Sequence, residues 1–146
     1  MIALAGDHAG FTYKQRIKQL LDSLGLAYKD FGAYSIEDSD DYPDYGHLAA
    51  EAVSRGECER AILTCGSGIG MNIVANKSKG VRAASCTSVE MARLSRQHND
   101  ANVLCISERL TAWDTVEEMI KTWLTTEFEG GRHKRRVEKI HALTNL

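Results

Sequence analysis

Short apolar runs alternate along this chain with stretches whose apolar residues recur every three or four positions. Continuous runs of about four to eight apolar residues suit buried strands, and the longer period suits amphipathic helices. Ile2 to Ala5 predicts a first strand. Tyr13, Ile17, Leu20, Leu21 and Leu24 follow at helical spacing, with Gly25 as a stop. Ala27 to Phe31 predicts a second strand. Tyr45, Leu48, Ala49, Ala52 and Val53 form the next helical stripe, ended by Gly56. Ala61 to Thr64 reads as a third strand, Met71 to Lys77 as the start of a helix, and Val81 to Ser85 as a fourth strand. Thr87 with Glu90 predicts a capping box opening a helix that carries Met91, Leu94, Ser95 and His98 on one face. Val103 to Ile106 is the fifth strand. From Thr111 a helix presents Val116, Met119, Ile120 and Trp123. Gly130-Gly131 breaks the chain, and Arg132 to Leu143 predicts a last helix.

Strands alternating with helices argue for a parallel sheet covered on both faces. With right-handed crossovers this becomes a doubly wound, Rossmann-like three-layer α/β/α sandwich with a five-stranded parallel sheet. Such sheets bind ligands outside the carboxyl ends of their strands. Asp7-His8, Cys65 to Gly70 and the segment after Ile106 all fall at such ends. No repeat, linker or low-complexity tract divides residues 1–146, so a single domain is expected, long enough to bury a real core.

Composition narrows the function classes. A formal net charge of −2 gives no general attraction to nucleic acid or an anionic membrane. No apolar run approaches the ~20 residues needed to span a bilayer. The first residues lack the basic start of a signal peptide. Cysteines at 58, 65, 86 and 105 form no CxxC pair or compact Cys/His quartet, so a zinc knuckle is not expected. Three of them sit in or beside strand-like runs, as reduced cysteines commonly do. A reducing, cytoplasmic setting follows. The acidic stretch Glu37 to Asp44 and the basic stretch Arg132 to Lys139 suit a solvated loop and a solvated helix face.

Chemistry concentrates at Cys65-Gly66-Ser67-Gly68-Ile69-Gly70. A strand delivers a thiol onto a glycine-rich loop at the start of a helix. Clustered backbone N–H groups favour anions there, and they favour a thiolate over a thiol. Dinucleotide binding would put GxGxxG after the first strand; here the glycines follow the third and read GSGIGM. The GxxxxGK[ST] pattern is absent. The Cys-x5-Arg of phosphatase loops fails because Met71 stands where the arginine belongs. Cys65 therefore reads as a base or nucleophile, and Cys58, Cys86 and Cys105 as inert. His8, just past the first strand, can meet a phosphate or sugar oxygen. His98 falls at a helix end facing the fifth strand. Arg132 and Arg136, four apart on one helical face, can grip one phosphate together, and Arg109 can join them.

The strings GDHAG, DYPDYG, CGSGIGMNIVANK, VRAASC, LSRQHNDANVL and EGGRHKRRVEKI resemble, in order, the ribose-5-phosphate isomerase B family, which includes galactose-6-phosphate and allose-6-phosphate isomerases. The resemblance runs from Ala3 to about Ile140. It implies an aldose–ketose isomerase acting on a phosphorylated sugar, with no cofactor and no metal. On it, Cys65 is the base that takes the C2 proton of ribose 5-phosphate and returns it at C1. The amides from Gly66 through Gly68 and Ile69 to Gly70 would hold the cis-enediolate, since fixed N–H groups stabilise developing oxygen charge. Ser67 stands where the family often has threonine. One branch of the family has a glutamate in the loop where this chain has Met71, so Cys65 is the loop's only base candidate. His98 matches the ring-opening histidine. Asp7 would contact sugar hydroxyls or a proton relay, and Asn99 would help bind the intermediate. His8, Arg109, Arg132 and Arg136 match the phosphate-binding set, and Tyr42 lies at the site entrance. The resemblance also implies a homodimer or homotetramer with a shared active site, the last helix serving dimerisation. Two rivals remain: a six-carbon 6-phosphate isomerase, for allose or galactose 6-phosphate, and a noncatalytic sugar-phosphate or nucleotide-binding module.

Overall fold

The computed structural model describes residues 1–36 and 40–146. In chain order its elements are β1 (Ile2–Gly6), α1 (Phe11–Ser23), β2 (Tyr28–Asp30), α2 (Tyr42–Ser54), β3 (Arg60–Cys65) and α3 (Ile69–Ala75). There follow β4 (Ala83–Ser85), α4 (Val89–Asn99), β5 (Val103–Ser107), α5 (Trp113–Thr125) and α6 (Arg132–Thr144). All strand pairs are parallel, in the order β2-β1-β3-β5-β4. The expected doubly wound sandwich is therefore present.

Alternation along the central strands builds two cores. Ala3 and Ala5, Ala61, Leu63 and Cys65, and Val103 and Cys105 face α2 and α3. Ile2 and Leu4, Ile62, and Leu104 and Ile106 face α1, α4 and α5, where Trp123 is fully buried. A period of two turns each strand's neighbouring side chains to opposite layers. From β1 the chain steps to β2 on one side, then returns to β3 on the other. The gap between β1 and β3 is thus the topological switch point, and the loops carrying Asp7 and Cys65 leave the sheet there.

Those two loops are tied together. Thr64 Oγ1 donates to the Gly10 carbonyl at 2.7 Å. A Cβ on Gly10 would lie 2.4 Å from the Thr64 carbonyl carbon, so only glycine lets the strand and loop come so close.

Two expectations for α4 are corrected. Its N-cap is Ser88, whose hydroxyl accepts the Met91 N–H at 3.1 Å; Thr87 and Glu90 form no capping box, and Glu90 pairs with Arg93. Its buried side is Ala92, Ser95 and Arg96, while Met91 and Leu94 are exposed. Small residues let α4 pack closely on α5, so the bulky apolar ones are turned away from the core. Leu48 on α2 and Leu24 after α1, also read as core positions, are exposed as well.

Lys14 is completely buried in α1. Its ammonium donates to Asp30 at 2.8 Å and to the Ala33 carbonyl. Burial would push the Asp30 carboxyl up, but hydrogen bonds from Lys14 and Lys18 and the Gly32 N–H outweigh it and hold it below the usual range. Because the folded value is depressed, this stabilisation is present above the ordinary carboxylate range and is lost as pH falls through the folded value. Lys14→Ala should lower unfolding free energy by about 3–5 kcal/mol, the usual consequence of breaking a buried pair from one side. Urea denaturation at neutral pH checks this, and the variant's stability should also fall less steeply in acid.

Candidate active site

A cleft of ≈ 450 Å³ opens at the switch point, lined by Asp7, His8, Ala9, Tyr42, Cys65, Gly66, Ser67, Gly70, Arg109 and Leu110. Each strand end contributes in a way its sequence explains. β1 ends in Gly6 and turns sharply, with Asp7 Oδ1 accepting the Gly10 N–H at 3.0 Å. Burial pushes the Asp7 carboxyl above its ordinary value, against the pull of that N–H and of His8. A carboxyl so placed can give or take a proton more readily than a solvated one.

β3 ends in Cys65, whose side chain is buried with the sulfur accepting the Gly68 N–H at 3.1 Å. Gly68 has φ +79°, a backbone that glycine adopts without strain, and it turns the chain into α3. The Ile69 N–H is directed at Ser67 Oγ, 3.2 Å away. Gly68 and Ile69 therefore shape the loop, and neither lines the cleft; Gly66, Ser67 and Gly70 do. The Gly66 carbonyl is held by the Ser107 hydroxyl at 2.6 Å and the Arg109 N–H at 3.1 Å. These bonds dock the loop after β5 on the cysteine loop. The Arg109 guanidinium lies so close over Gly66 that a Cβ there would be 3.2 Å from its central carbon. Tyr42, at the start of α2, packs likewise on Gly70.

All four cysteines are free and buried. Burial pushes the thiols of Cys58 and Cys105 up, and that of Cys86 to about 11. Burial of this kind disfavours the reactive thiolate, and none of the three lines the cleft. Cys65 is the one cysteine that lines the cleft.

The remaining expected residues lie elsewhere. α4 starts after the carboxyl end of β4 and runs back along the sheet, so its last residues reach the opposite edge. His98 and Asn99 therefore lie toward the amino ends of the strands, and neither lines the Cys65 cleft. The expectation that His98 faces β5 is corrected: its ring stacks on His133 of α6, centroids 4.2 Å apart, with Nε2 3.5 Å from the Glu129 carboxylate. Ser95 and Arg96 occupy the buried side instead. The two rings are nearly parallel, so one ion cannot lie in the plane of both, as two imidazole ligands would require. Asn99 lines a second cavity of ≈ 350 Å³ with Arg82, Ile140 and His141. Arg132 and Arg136 project from the exposed side of α6. Within one chain, then, Asp7, His8, Tyr42, Cys65, Ser67 and Arg109 meet, while His98, Asn99, Arg132 and Arg136 do not join them.

Asp40 was missed among the acidic residues read as a solvated loop. Its carboxylate is only 11% exposed and grips His8. Of that stretch, residues 37–39 lie outside the described residues, and Asp44 opens α2. The available signal was position: Asp40 follows β2, whose carboxyl end lies beside that of β1.

No helix of the described residues is long and apolar enough to cross a membrane.

Fold and cleft together define a doubly wound α/β protein whose strand ends present a thiol, a carboxyl group and cationic side chains to one space. A family model described as Ribose/Galactose Isomerase matches residues 2–140, and the chain belongs to that family. Ribose-5-phosphate isomerase B of Escherichia coli (strain K12) is 43% identical over 142 residues, covering 97% of this chain and 95% of that protein. The structure of Clostridium thermocellum ribose-5-phosphate isomerase B superposes with a TM-score of 0.96 at 47% identity, covering 99% and 97%. The Mycoplasma genitalium enzyme, solved with bound ribulose-5-phosphate, gives 0.95 at 39% identity over 99% and 95%.

Proposed function

We propose that this chain interconverts ribose 5-phosphate and ribulose 5-phosphate, with Cys65 as the base. The observation that carries the reading is the buried Cys65 sulfur at the strand end, facing the cleft beside Asp7 and Ser67 and receiving the Gly68 N–H. The thiolate takes the C2 proton of the open-chain aldose. The C–H electron pair becomes the C1=C2 bond of the enediolate, and charge moves to O1. Backbone amides of the loop around Gly66 and Gly70, which line the cleft, stabilise that charge. The thiol returns the proton to C1, while Ser67 and Asp7 pass the hydroxyl proton between O2 and O1.

The far end of the substrate falls to His8 and Arg109 from the same chain. We assign ring opening to the partner subunit's His98, with the partner's Asn99, Arg132 and Arg136 completing the site. Two features support a shared site. The four residues lie remote from Cys65 within one chain. In addition, Ile69 and Ile73 of α3 and Met91 and Leu94 of α4 leave an exposed apolar face flanking the open edge strand β4. A second copy covers such a face and brings its own helix end to the cleft. A homodimer is the smallest assembly that does this.

The ribose-5-phosphate isomerase relatives, and the bound ribulose-5-phosphate of one, favour the five-carbon substrate over allose or galactose 6-phosphate. A coupled isomerase assay tests the choice. Turnover of ribose 5-phosphate should exceed that of either six-carbon phosphate by roughly tenfold or more in kcat/KM, a difference of about 1.4 kcal/mol or more in transition-state binding. A reversed preference overturns the substrate and keeps the mechanism. No isomerisation of any phosphosugar would leave a binding module.

A further inference from the structure

We infer that Asp40 is a positioning residue that fixes the imidazole of His8 and keeps it a cation, so that His8 meets the substrate's phosphate as a charged donor. The inference rests on the reading of the cleft as a phosphosugar site. One carboxylate oxygen, Asp40 Oδ1, accepts both the His8 backbone N–H at 3.0 Å and the ring at Nδ1, 2.6 Å away. This two-point grip sets both backbone and ring; the Asp40 backbone N–H also approaches Nδ1, but at 3.4 Å, and the 2.6 Å approach of a carboxylate that can only accept favours a proton on Nδ1. Among the described residues no hydrogen-bond partner meets the other ring nitrogen, Nε2. In a neutral ring with hydrogen on Nδ1, Nε2 offers a lone pair, which repels a phosphate oxygen. Only the imidazolium donates from both nitrogens, toward Asp40 on one side and an anion on the other.

Burial supports this division of labour. Asp40 is 11% exposed and does not line the cleft; His8 lines it and is 37% exposed. The carboxylate can thus act on the ring without occupying the space a phosphate would take. The charged groups acting on His8 are Asp40 from the segment after β2, Asp7 from its own loop and Arg109 from the loop after β5. Arg109 opposes a second positive charge nearby. The hydrogen bond to Asp40 is the largest influence and raises the imidazole above its ordinary value, with Asp7 adding to it. With the folded value raised, the cation persists to higher pH, and phosphate binding fades only as pH climbs through that value.

Asp40→Asn separates charge from shape, because the amide oxygen can still accept both N–H groups. At pH 7.5 it should raise KM for ribose 5-phosphate, and the inhibition constant of inorganic phosphate, roughly five- to tenfold, with kcat within about twofold. At pH 6, where an ordinary imidazole is largely charged, both differences should shrink to less than about twofold. Nitrogen-detected NMR should show the His8 ring titrating at lower pH in D40N than in wild type. Combining D40N with His8→Asn should add no further loss beyond His8→Asn alone. An unchanged His8 titration, or a KM defect of equal size at both pH values, overturns the inference. Thermal unfolding of D40N serves as the folding control. The NMR and phosphate arms do not depend on turnover, so failure of wild type to isomerise ribose 5-phosphate would count against the isomerase reading alone.

Discussion

Cys65→Ala is expected to lose roughly 10³-fold or more in kcat on ribose 5-phosphate, because a positioned acid–base group contributes about 10²–10⁴. KM should stay within a few-fold, since the contacts proposed for His8 and Arg109 at the far end of the substrate are left intact. The substitution removes one sulfur and its bond from Gly68 N–H, and alanine tolerates the same backbone, so the loop should persist. Exchange of the C2 hydrogen with solvent should disappear along with turnover. Both are measurable in deuterated buffer by NMR, with circular dichroism confirming the fold. Retention of wild-type exchange would move the base elsewhere, and Asp7, buried with a raised carboxyl, would be the next candidate.

Mixing two inactive variants should restore activity. Arg136→Ala is expected to cost about 10²-fold in kcat/KM through loss of a charge-assisted contact to phosphate. On the proposed shared site, Cys65→Ala and Arg136→Ala strike opposite halves. In a hybrid dimer one site collects both lesions and the other none. Random exchange of equal amounts makes half the dimers hybrids, so about a quarter of wild-type activity should return. The measurement is activity after subunit exchange, with mass spectrometry verifying hybrids. Hybrids present without recovered activity would place Arg136 and Cys65 in the same subunit's site, against their separation in this chain, or exclude Arg136 from the site.

Much of this site was legible before the fold was known. Cys65 announces itself through an apolar strand ending in a glycine loop, and a parallel sheet sends strand ends to one edge. That logic placed Asp7, His8, Cys65 and the loop carrying Arg109 together. Periodicity was less reliable about which way side chains point. Met91 and Leu94 have core spacing on α4, yet Ala92 and Ser95 face inward, because close approach to α5 selects small residues. Spacing registers that a helix has an apolar stripe; it does not say whether that stripe meets this chain's core. Asp40 was hidden for a related reason. An acidic run looks solvated until a distant histidine is folded against one member, and His8 and Asp40 are 32 residues apart.

The order of elements, the parallel sheet and the glycine loop that follows Cys65 at a strand end are set by sequence alone, because hydrophobic period and turn residues act over a few neighbouring positions. The tertiary structure decided three things that depend on distant contacts. It turned His98 onto His133 at the far edge of the sheet. It docked the loop after β5 on the cysteine loop, with the Ser107 hydroxyl donating to the Gly66 carbonyl. It also set Asp40 against His8. Each depends on the direction a helix runs or on how one loop docks on another, and these are properties of packing that no local pattern encodes.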